Sequence, residues 1–344
     1  MNLQQLRYLR ETALRGLNLT QAAVALHTSQ PGLSKAIREL EDELGVQVFV
    51  RQGKRLTAIT DEGHEVLAIA ERLLTEADFF DMAWAYFERA AADNIVHAEI
   101  FFDPQTHTAR GVDIGIVIRG LHHACQRAHA ELRISASLIL CFLRHLSEDD
   151  ALATLESALP YRHQFIGVGL DSSERGHPPE KFKQVFERAG TLGLHRVTHA
   201  GEEGPPAYIE GALDVLQVER IDHGVRCLES PALVRRLAAA RVPLTVCPLS
   251  NVKLRVFPTM AQHNLPALLE AGLCVMLNSD DPAYFGGYLN QNLIATFEAL
   301  PQLGAREAYA VLRNGFEASF AGAAAKGEWM TALDRAFRDA VADR

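Results

Sequence analysis

The first 75 residues place their apolar side chains at helical spacing. Three short amphipathic helices are predicted from apolar residues three or four positions apart, namely Leu3, Leu6, Leu9 and Ala13; Ala22, Ala23 and Leu26; and Leu33, Ile37, Leu40 and Leu44. The third begins near Pro31, which a helix tolerates in its first turn. The run from Val46 then alternates and turns at Gln52-Gly53, which predicts a two-stranded hairpin. The segment is therefore typical of a small helical domain followed by a wing.

A fourth helix is predicted from Thr60, because this N-cap residue precedes an acidic first turn, Asp61 and Glu62. A single helical phase continues through Val66, Ala70, Leu73, Phe80, Ala83 and Phe87. We therefore expect a linker helix over residues 61–93, which leads from the winged domain at 1–60 into the rest of the chain.

From residue 95 the pattern changes to apolar strands that alternate with segments of helix length. Seven strands are predicted, near residues 96–103, 134–142, 164–170, 195–199, 219–222, 243–247 and 273–279. This alternation predicts a parallel sheet, and polar residues follow the strands at the positions where barrel enzymes build their active sites. A closed (β/α)₈ barrel needs eight strands, so the α/β domain over 94–344 is one strand short.

Composition is that of an ordinary globular protein, with 48% hydrophobic and 22% charged residues. Neither an apolar run long enough to span a membrane nor a leader sequence is found, so we expect a cytoplasmic protein with no membrane partner. The five cysteines are scattered and form no CxxC pair, which predicts buried thiols rather than disulfides.

The net charge of −9 is unevenly distributed. Residues 1–75 carry nine Lys/Arg and nine Asp/Glu, so the remaining 25 basic and 34 acidic residues place the whole excess in 76–344. Because that excess repels phosphate, any contact with nucleic acid is expected in the first segment.

The stretch LTQAAVALHTSQPGLSKAIRELEDELGVQVFVR resembles the winged helix-turn-helix DNA-binding domain of LysR-type regulators, and the likeness covers residues 1–75. It implies that the helix at SQP enters the major groove. The residues that would meet bases and phosphates are Ser29, Gln30, Ser34, Lys35 and Arg38, and those of the wing that would follow the backbone are Arg51, Lys54 and Arg55. The alternative is a small helical domain with a solvated face. The effector domain of these regulators does not follow, although paired linker helices would still give a homodimer.

Three motifs place histidines and carboxylates just after predicted strands: VTHAGEE (197–203), RIDHG (220–224) and NSDDP (278–282). Taken singly, each histidine is compatible with a structural role and each aspartate with a turn or helix cap. Together they bring His199, Glu202, His223, Asp280 and Asp281 to one rim of one sheet. Such a group suits a zinc hydrolase, in which a metal activates water and a glutamate carries its proton.

The order and spacing of these motifs, with VCPLSN at 246–251, resemble the adenosine/adenine deaminase family from about residue 76 onward. GVGLDSSERGHPPEKF, HAEIFFDPQTHTARGV and SDDPAYFGGYLNQN resemble its adenine deaminase branch. The resemblance implies that His199 and Asp280 bind Zn²⁺, that Glu202 donates a proton to the purine ring nitrogen, that His223 orients the attacking hydroxide and that Asp281 hydrogen-bonds the purine. The ligand would be a purine base or nucleoside, and the products hypoxanthine or inosine and ammonia.

The chain departs from this family at one position of consequence. The family's first barrel strand carries an HxH pair that supplies two zinc ligands, and none of the fourteen histidines here forms such a pair. We therefore expect an incomplete TIM-type (β/α) barrel that lacks its first strand and is open on one side. Since catalytic zinc usually has three protein ligands, we also expect weak or absent zinc binding and little deamination.

Three hypotheses follow for the whole chain. It is a purine deaminase whose metal site is completed in another way, a LysR-type DNA-binding transcriptional regulator with a purine-sensing or inactive deaminase-like domain, or a join of two genes that leaves a truncated barrel.

Overall fold

The chain forms two compact units. The structure, a computed structural model, describes all residues except 1–2, 27, 45, 54, 71–74 and 343–344. One unit is Met1–Asp78 and the other is Phe79–Arg344. The division falls within the predicted linker helix.

The first unit has the predicted order of helices and hairpin. Its elements are α1 (Leu3–Leu14), α2 (Leu19–Ala25), α3 (Gln30–Leu44), β1 (Phe49–Gln52), β2 (Arg55–Ile59) and α4 (Asp61–Ala70). Leu9, Leu33, Ile37 and Leu40 are fully buried in a common core, as their helical spacing predicts. The strands pair antiparallel and turn at Gly53, whose φ of +61° suits glycine. Lys54 of the predicted wing lies outside the described residues.

Thr60 caps α4, because its Oγ1 accepts a hydrogen bond from the Gly63 amide at 2.8 Å. The next helix, α5, covers Glu76–Ala92, and Thr75 belongs to neither helix. Residues 71–74 lie outside the described part of the chain, so one continuous linker helix over 61–93 stays a prediction.

The second unit contains a curled, all-parallel sheet of seven strands in sequential order. These are β3 (His97–Phe102), β4 (Ser135–Leu143), β5 (Gly167–Asp171), β6 (His195–Ala200), β7 (Arg220–His223), β8 (Pro243–Val246) and β9 (Cys274–Leu277). Each predicted strand is confirmed. Among the described residues β3 and β9 each have one strand neighbour, so the sheet is a half-barrel and the predicted absence of one strand is also confirmed.

Helices connect the strands and cover the sheet. They are α6 (Gln105–Thr108), α7 (Ile114–Arg127), α8 (Glu148–Ala158), α9 (Lys183–Thr191), α10 (Pro206–Asp214), α11 (Pro231–Ala240), α12 (Pro248–Lys253), α13 (Leu265–Glu270), α14 (Pro282–Phe285), α15 (Leu289–Ala299), α16 (Ala305–Ala318) and α17 (Ala323–Ala342). No helix within the described residues has the length and apolar character required to cross a membrane. The five cysteines are free and buried, as expected.

The inner surface of the sheet is filled near the amino ends of its strands. Phe320 packs against a buried cluster of Ile139, Cys141 and Val197. Beside it the Arg220 guanidinium donates to Glu99 at 2.5 Å, and both side chains are less than a tenth exposed. This end of the sheet is packed, whereas the polar residues that follow the parallel strands stand at the opposite, carboxyl end.

Candidate active site

The structure brings four of the five predicted deaminase residues into one cluster at the carboxyl ends of β6, β7 and β9. The imidazole rings of His199 and His223 lie 5.0 Å apart, measured between centroids. His223 Nδ1 lies 3.3 Å from Glu202 Oε1, and His223 Nε2 lies 3.7 Å from Asp280 Oδ2. The fifth residue, Asp281, stands next in the chain and caps α14, where its Oδ1 accepts from the Tyr284 amide at 3.1 Å.

Glu202 is buried and has an unusual protonation state. Burial, and next the negative charge of Asp280, raise the pKa of Glu202 to about 8. Its Oε1 accepts a hydrogen bond from Asn251 Nδ2 at 2.7 Å, which holds the carboxyl group in place. At neutral pH the group is therefore mostly protonated, and it can donate a proton as a general acid.

The loop that carries Glu202 wraps around another buried carboxylate, Glu174. The four amides of residues 201–204 donate to the two Glu174 oxygens at distances of 2.6 to 3.1 Å. Two glycines permit this: Gly201 has a φ of +73°, and a Cβ on Gly204 would lie 2.4 Å from Glu174 Oε1. The GEEG sequence thus forms an amide nest around Glu174 that sets the position of Glu202.

His223 and Asp280 both have a left-handed backbone, with φ of +64° and +57°. Such a conformation costs a non-glycine residue roughly 1–3 kcal/mol and persists only where surrounding contacts impose it. For His223 one such contact is Asn251, whose Nδ2 lies 3.2 Å from His223 Nδ1. Asn251 is itself held by His263 Nε2, which donates to Asn251 Oδ1 at 3.2 Å.

His199 is oriented by its backbone and by its ring nitrogen. The fully buried Arg144 donates from Nη1 to the His199 carbonyl at 2.7 Å. His199 Nδ1 donates to the Leu170 carbonyl at 3.2 Å, which leaves Nε2 without a proton in the neutral ring. Nearby, Asp222 Oδ1 accepts from Thr245 Oγ1 at 2.6 Å, whereas Asp222 Oδ2 has no hydrogen-bond partner among the described residues.

The residues present do not fit the zinc site that the family resemblance implies. Two of its ligands, His199 and Asp280, are in the cluster, but the HxH pair is absent from the sequence. In the described part of the chain, the one group of three possible metal ligands whose donor atoms lie within 4.8 Å of one another is His223, Cys247 and Asp280. His199 does not belong to this group, so the described residues do not assemble the ligand set that the resemblance implies.

Sequence reasoning assigned no role to several residues that hold the cluster together. Glu174 and Asn251 belong to two motifs on which the family resemblance rests, GVGLDSSERGHPPEKF and VCPLSN. The motifs therefore included these residues but did not indicate what they do. Arg144 stands in none of these motifs. Its contact with His199 joins residues 55 positions apart, which no local pattern reveals.

The predicted DNA-contacting residues lie within the first nine residues of α3 or directly before it. Ser29, Gln30, Lys35 and Arg38 are exposed, and Ser34 is half-buried. Ser29 Oγ accepts from the Gly32 amide at 3.2 Å, so this residue also caps the helix. These side chains therefore share a solvated surface on the first unit.

The wing is attached to α3 by a buried carboxylate. Glu41 Oε1 accepts from the amides of Val48 and Phe49 at 2.9 and 3.0 Å, and Glu41 Oε2 pairs with Arg51 at 2.8 Å. Arg51, expected to follow a DNA backbone, thus has part of its guanidinium engaged within the domain. Arg55 is exposed.

Comparison with known proteins gives two family matches. The adenosine deaminase family matches residues 60–336, and the bacterial regulatory helix-turn-helix proteins of the lysR family match residues 3–64. The adenine deaminases of Trichlorobacter lovleyi and Geotalea uraniireducens are 64% and 65% identical over 269 and 268 residues, which are 78% of this chain in both cases and 77% and 76% of the relatives.

Solved structures agree with this assignment. The crystal structure of adenine deaminase from Arthrobacter aurescens matches with a TM-score of 0.77 at 42% identity, covering 88% of this chain and 94% of that one. An amidohydrolase from Burkholderia ambifaria with bound zinc matches with a TM-score of 0.74 at 27% identity, covering 86% and 82%. The chain belongs to the adenosine deaminase family and carries an N-terminal helix-turn-helix domain of the lysR family.

Proposed function

We propose that the second unit binds adenine at the cluster of His199, Glu202, His223 and Asp280, and that the chemistry prepared there is hydrolysis of the 6-amino group. Adenine and water would give hypoxanthine and ammonia. The observation that carries this proposal is the position of the buried Glu202 carboxyl beside His223 and Asp280. The relatives that bear the name adenine deaminase support the choice of adenine over adenosine.

Each residue has a role that its contacts support. Glu202 presents a neutral carboxyl, which donates to a ring nitrogen of the purine. His223 is fixed through Nδ1 by Glu202 and Asn251, so its Nε2 is available to orient a water molecule. Asp281 has one oxygen engaged as a helix cap, and the other is proposed to accept from the purine.

Turnover is expected to be far below that of a complete family member. Zinc supplies these enzymes with a hydroxide at neutral pH by lowering the pKa of bound water. Zinc held as the family holds it depends on an HxH pair that this sequence lacks. The proposed site therefore binds adenine and positions a proton donor, but generates the nucleophile poorly.

Adenine titration followed by calorimetry tests the proposal. Glu202→Ala should weaken binding by about tenfold or more, the value of one lost hydrogen bond, whereas Glu202→Gln retains a donor and should bind nearly as well as the wild type. Glu203→Ala removes a neighbouring carboxylate outside the cluster and serves as the matched control. Equal affinity of Glu202→Ala and Glu203→Ala would contradict the role of Glu202, and rapid ammonia release would contradict the low turnover.

A second function is favoured by the helix-turn-helix domain. We propose that residues 1–60 bind DNA through Ser29, Gln30, Ser34, Lys35 and Arg38, that a linker helix over 61–93 pairs two chains in a homodimer, and that residues 94–344 act as a purine sensor. The exposure of Gln30, Lys35 and Arg38 on α3 and of Ser29 directly before it supports this proposal, as does the match to the lysR family. Both functions belong in the cytoplasm, where DNA and free purines occur.

DNA binding by the full chain can be measured as a function of salt concentration. Arg38→Ala should lower affinity and, if Arg38 contacts a phosphate, reduce the slope of log K against log salt by about one. Arg15→Ala, which removes an exposed arginine paired with Glu11 outside α3, is the control. Equal losses of DNA affinity in both variants would show that DNA does not contact Arg38 specifically. A sedimentation measurement that finds only monomers would contradict the proposed homodimer.

A further inference from the structure

A surface cleft of the second unit collects three arginines. The cleft has a volume of about 520 Å³, and its polar lining consists of Arg241, Arg306, Tyr309, Arg313, Asn314 and Glu317. All of these except Arg241 belong to α16, where Arg306, Arg313 and Glu317 share one face because they recur at helical spacing. Arg241 follows α11 and reaches this face of α16 from the side.

The arginine cleft lies at the amino ends of β8 and β9. Arg241 precedes the first residue of β8 by two positions, and its Nη2 lies 3.9 Å from the sulfur of Cys274, the first residue of β9. The side-chain amide of Asn314 donates to the Val275 carbonyl of β9 at 2.8 Å. Since the cluster around Glu202 stands at the carboxyl ends of the strands, the arginine cleft is a separate site.

Two of the arginines already hold an oxyanion, the carboxylate of Glu317. Glu317 Oε2 pairs with Arg241 Nη2 at 3.0 Å, and Glu317 Oε1 pairs with Arg313 Nε at 2.9 Å. Arg241 is held in this position although its backbone is left-handed, with a φ of +49°, a conformation that surrounding contacts must impose on a residue with a side chain. The cleft is therefore arranged so that two guanidinium groups converge on one anionic group.

Positive charge in the cleft exceeds the negative charge around it. Arg306 is exposed and forms no hydrogen bond or ion pair with any residue that the structure describes. Beyond Glu317, one further carboxylate approaches, because Asp334 Oδ1 of α17 lies 3.9 Å from Arg313 Nη1 and accepts from the Tyr309 hydroxyl at 2.6 Å. Three guanidinium groups against two carboxylates leave one positive charge unmatched, although residues 76–344 are acidic as a whole.

Each arginine also keeps hydrogen-bond donors for a ligand. The hydrogen bonds of Arg241 all use Nη2, and those of Arg313 use Nε and Nη1. Within the described part of the chain, Arg241 Nε and Nη1, Arg313 Nη2 and the whole Arg306 guanidinium thus have no acceptor. Guanidinium donors that carry full charge form the stronger class of hydrogen bonds to anions.

A phosphate group suits these donors better than a second carboxylate does. A phosphate monoester carries a charge of about −1.5 to −2 near neutral pH and presents three acceptor oxygens, one for each arginine. Arginine is the side chain most often used to bind phosphate through several hydrogen bonds. The cleft volume also lies within the range of about 300–1,000 Å³ that is usual for small-molecule sites.

We propose that Arg241, Arg306 and Arg313 bind the phosphate group of a small molecule, either inorganic phosphate or a phosphate monoester. Glu317 orients Arg241 and Arg313 and at the same time lowers the affinity, because its negative charge opposes that of the ligand. The proposal concerns binding at the amino ends of the strands, and holds whether or not adenine binds at their carboxyl ends.

Calorimetric titration of the full chain with inorganic phosphate and with methyl phosphate tests this site. At low ionic strength, where exposed charges are least screened, we expect saturable binding of one phosphate group per chain. Tighter binding of methyl phosphate would identify a monoester as the ligand, and tighter binding of inorganic phosphate would identify the free anion. The absence of saturable binding of both probes would overturn the proposal.

Arg306→Gln removes one proposed contact without disturbing a protein partner, and should weaken phosphate binding by about tenfold or more. Arg235→Gln is the matched control, because it removes another exposed arginine that lies on α11 outside the cleft. The control should bind phosphate as the wild type does. Equal affinities of the Arg306→Gln and Arg235→Gln variants would show a general effect of charge and overturn the proposal.

Glu317→Gln provides a test of opposite sign, which loss of folding cannot imitate. Removing the carboxylate charge about 4 Å from a bound anion should strengthen phosphate binding by about fivefold or more. Equal or weaker binding by Glu317→Gln would overturn a site in which Arg241 and Arg313 contact the phosphate.

Discussion

At the scale of single residues, the molecule uses buried carboxyl groups in opposite protonation states. Burial alone would raise the pKa of Glu99, but hydrogen bonding from His97 and the adjacent Arg220 lower it to about 2. Burial, and next the negative charge of Asp280, raise the pKa of Glu202 to about 8. The ionised Glu99 therefore stabilises the packed end of the half-barrel. The protonated Glu202 can donate a proton at the open end.

Glu99→Gln should destabilise the protein by about 3–5 kcal/mol near neutral pH, because it leaves Arg220 buried without its ionic partner. The folded pKa of about 2 lies below the unfolded value of 4.5, so the Glu99 contribution is present above pH 4.5 and is lost as pH falls toward 2. The difference between variant and wild type should accordingly shrink below pH 4.5, as measured by urea unfolding.

The exposed pair His195–Glu219 offers the control for this measurement. Glu219 has 43% of its side chain exposed, and Glu219→Gln should change the unfolding free energy little at any pH. A Glu99→Gln variant as stable as Glu219→Gln would show that the buried pair contributes no net stability.

Glu174→Ala should loosen the loop that positions Glu202. Four amides lose their acceptor, and leaving even one buried donor unpaired costs about 1–3 kcal/mol. Both the unfolding free energy and the adenine affinity should fall. Glu174→Gln keeps one oxygen acceptor. Its unfolding free energy and its adenine affinity should therefore lie between those of Glu174→Ala and those of the wild type. Unchanged adenine affinity in a destabilised Glu174→Ala protein would limit Glu174 to a structural role.

At the scale of secondary-structure elements, the missing first strand leaves β3 and β9 as edges of the described sheet. A partial compensation is visible on β9, where the side-chain amide of Asn314 in α16 donates to the Val275 carbonyl at 2.8 Å. On β3, the Glu99 side chain accepts from the Phe320 amide at 2.5 Å, which ties the segment after α16 to this strand. These contacts stabilise the two edges without closing the barrel.

Hydrogen–deuterium exchange should reveal the open edge of β3. Backbone amides of β3 are expected to exchange faster than those of β6, because β6 has a strand on each side and β3 has only β4. Equal protection of β3 and β6 in dilute protein would show that the edge is covered. Protection that appears only as protein concentration rises would identify a second copy as the cover.

At the scale of the whole molecule, two units with different charge are joined in one chain. Residues 1–75 are balanced, and the excess of −9 lies in the remainder. A DNA contact through the first unit is electrostatically compatible with this distribution, since the acidic part opposes nonspecific binding elsewhere. The family matches follow the same order along the chain, with the lysR-type match at residues 3–64 and the deaminase family match at residues 60–336.

If the second unit is a purine sensor, adenine should change the DNA affinity of the full chain. A coupling of about fivefold or more is the usual size of such an effect, and DNA must then change adenine affinity by the same factor. Fluorescence anisotropy with a palindromic duplex, with and without adenine, measures it. The Glu202→Ala variant should show no coupling, and a wild-type DNA affinity indifferent to adenine would exclude the sensor function.

The sequence by itself determined the seven strands, the order of helices and hairpin in the first unit, and the missing strand, because these depend on periodicity and on residues near one another in the chain. It also placed His199, Glu202, His223 and Asp280 at one rim, since parallel strands share their carboxyl edge. Only the tertiary structure decided how these side chains meet. Several features depend on burial and on contacts between segments far apart in the sequence, which a local sequence pattern does not report. These features are the roles of Glu174 and Arg144, the protonation of Glu202, and the approach of Cys247 to His223 and Asp280.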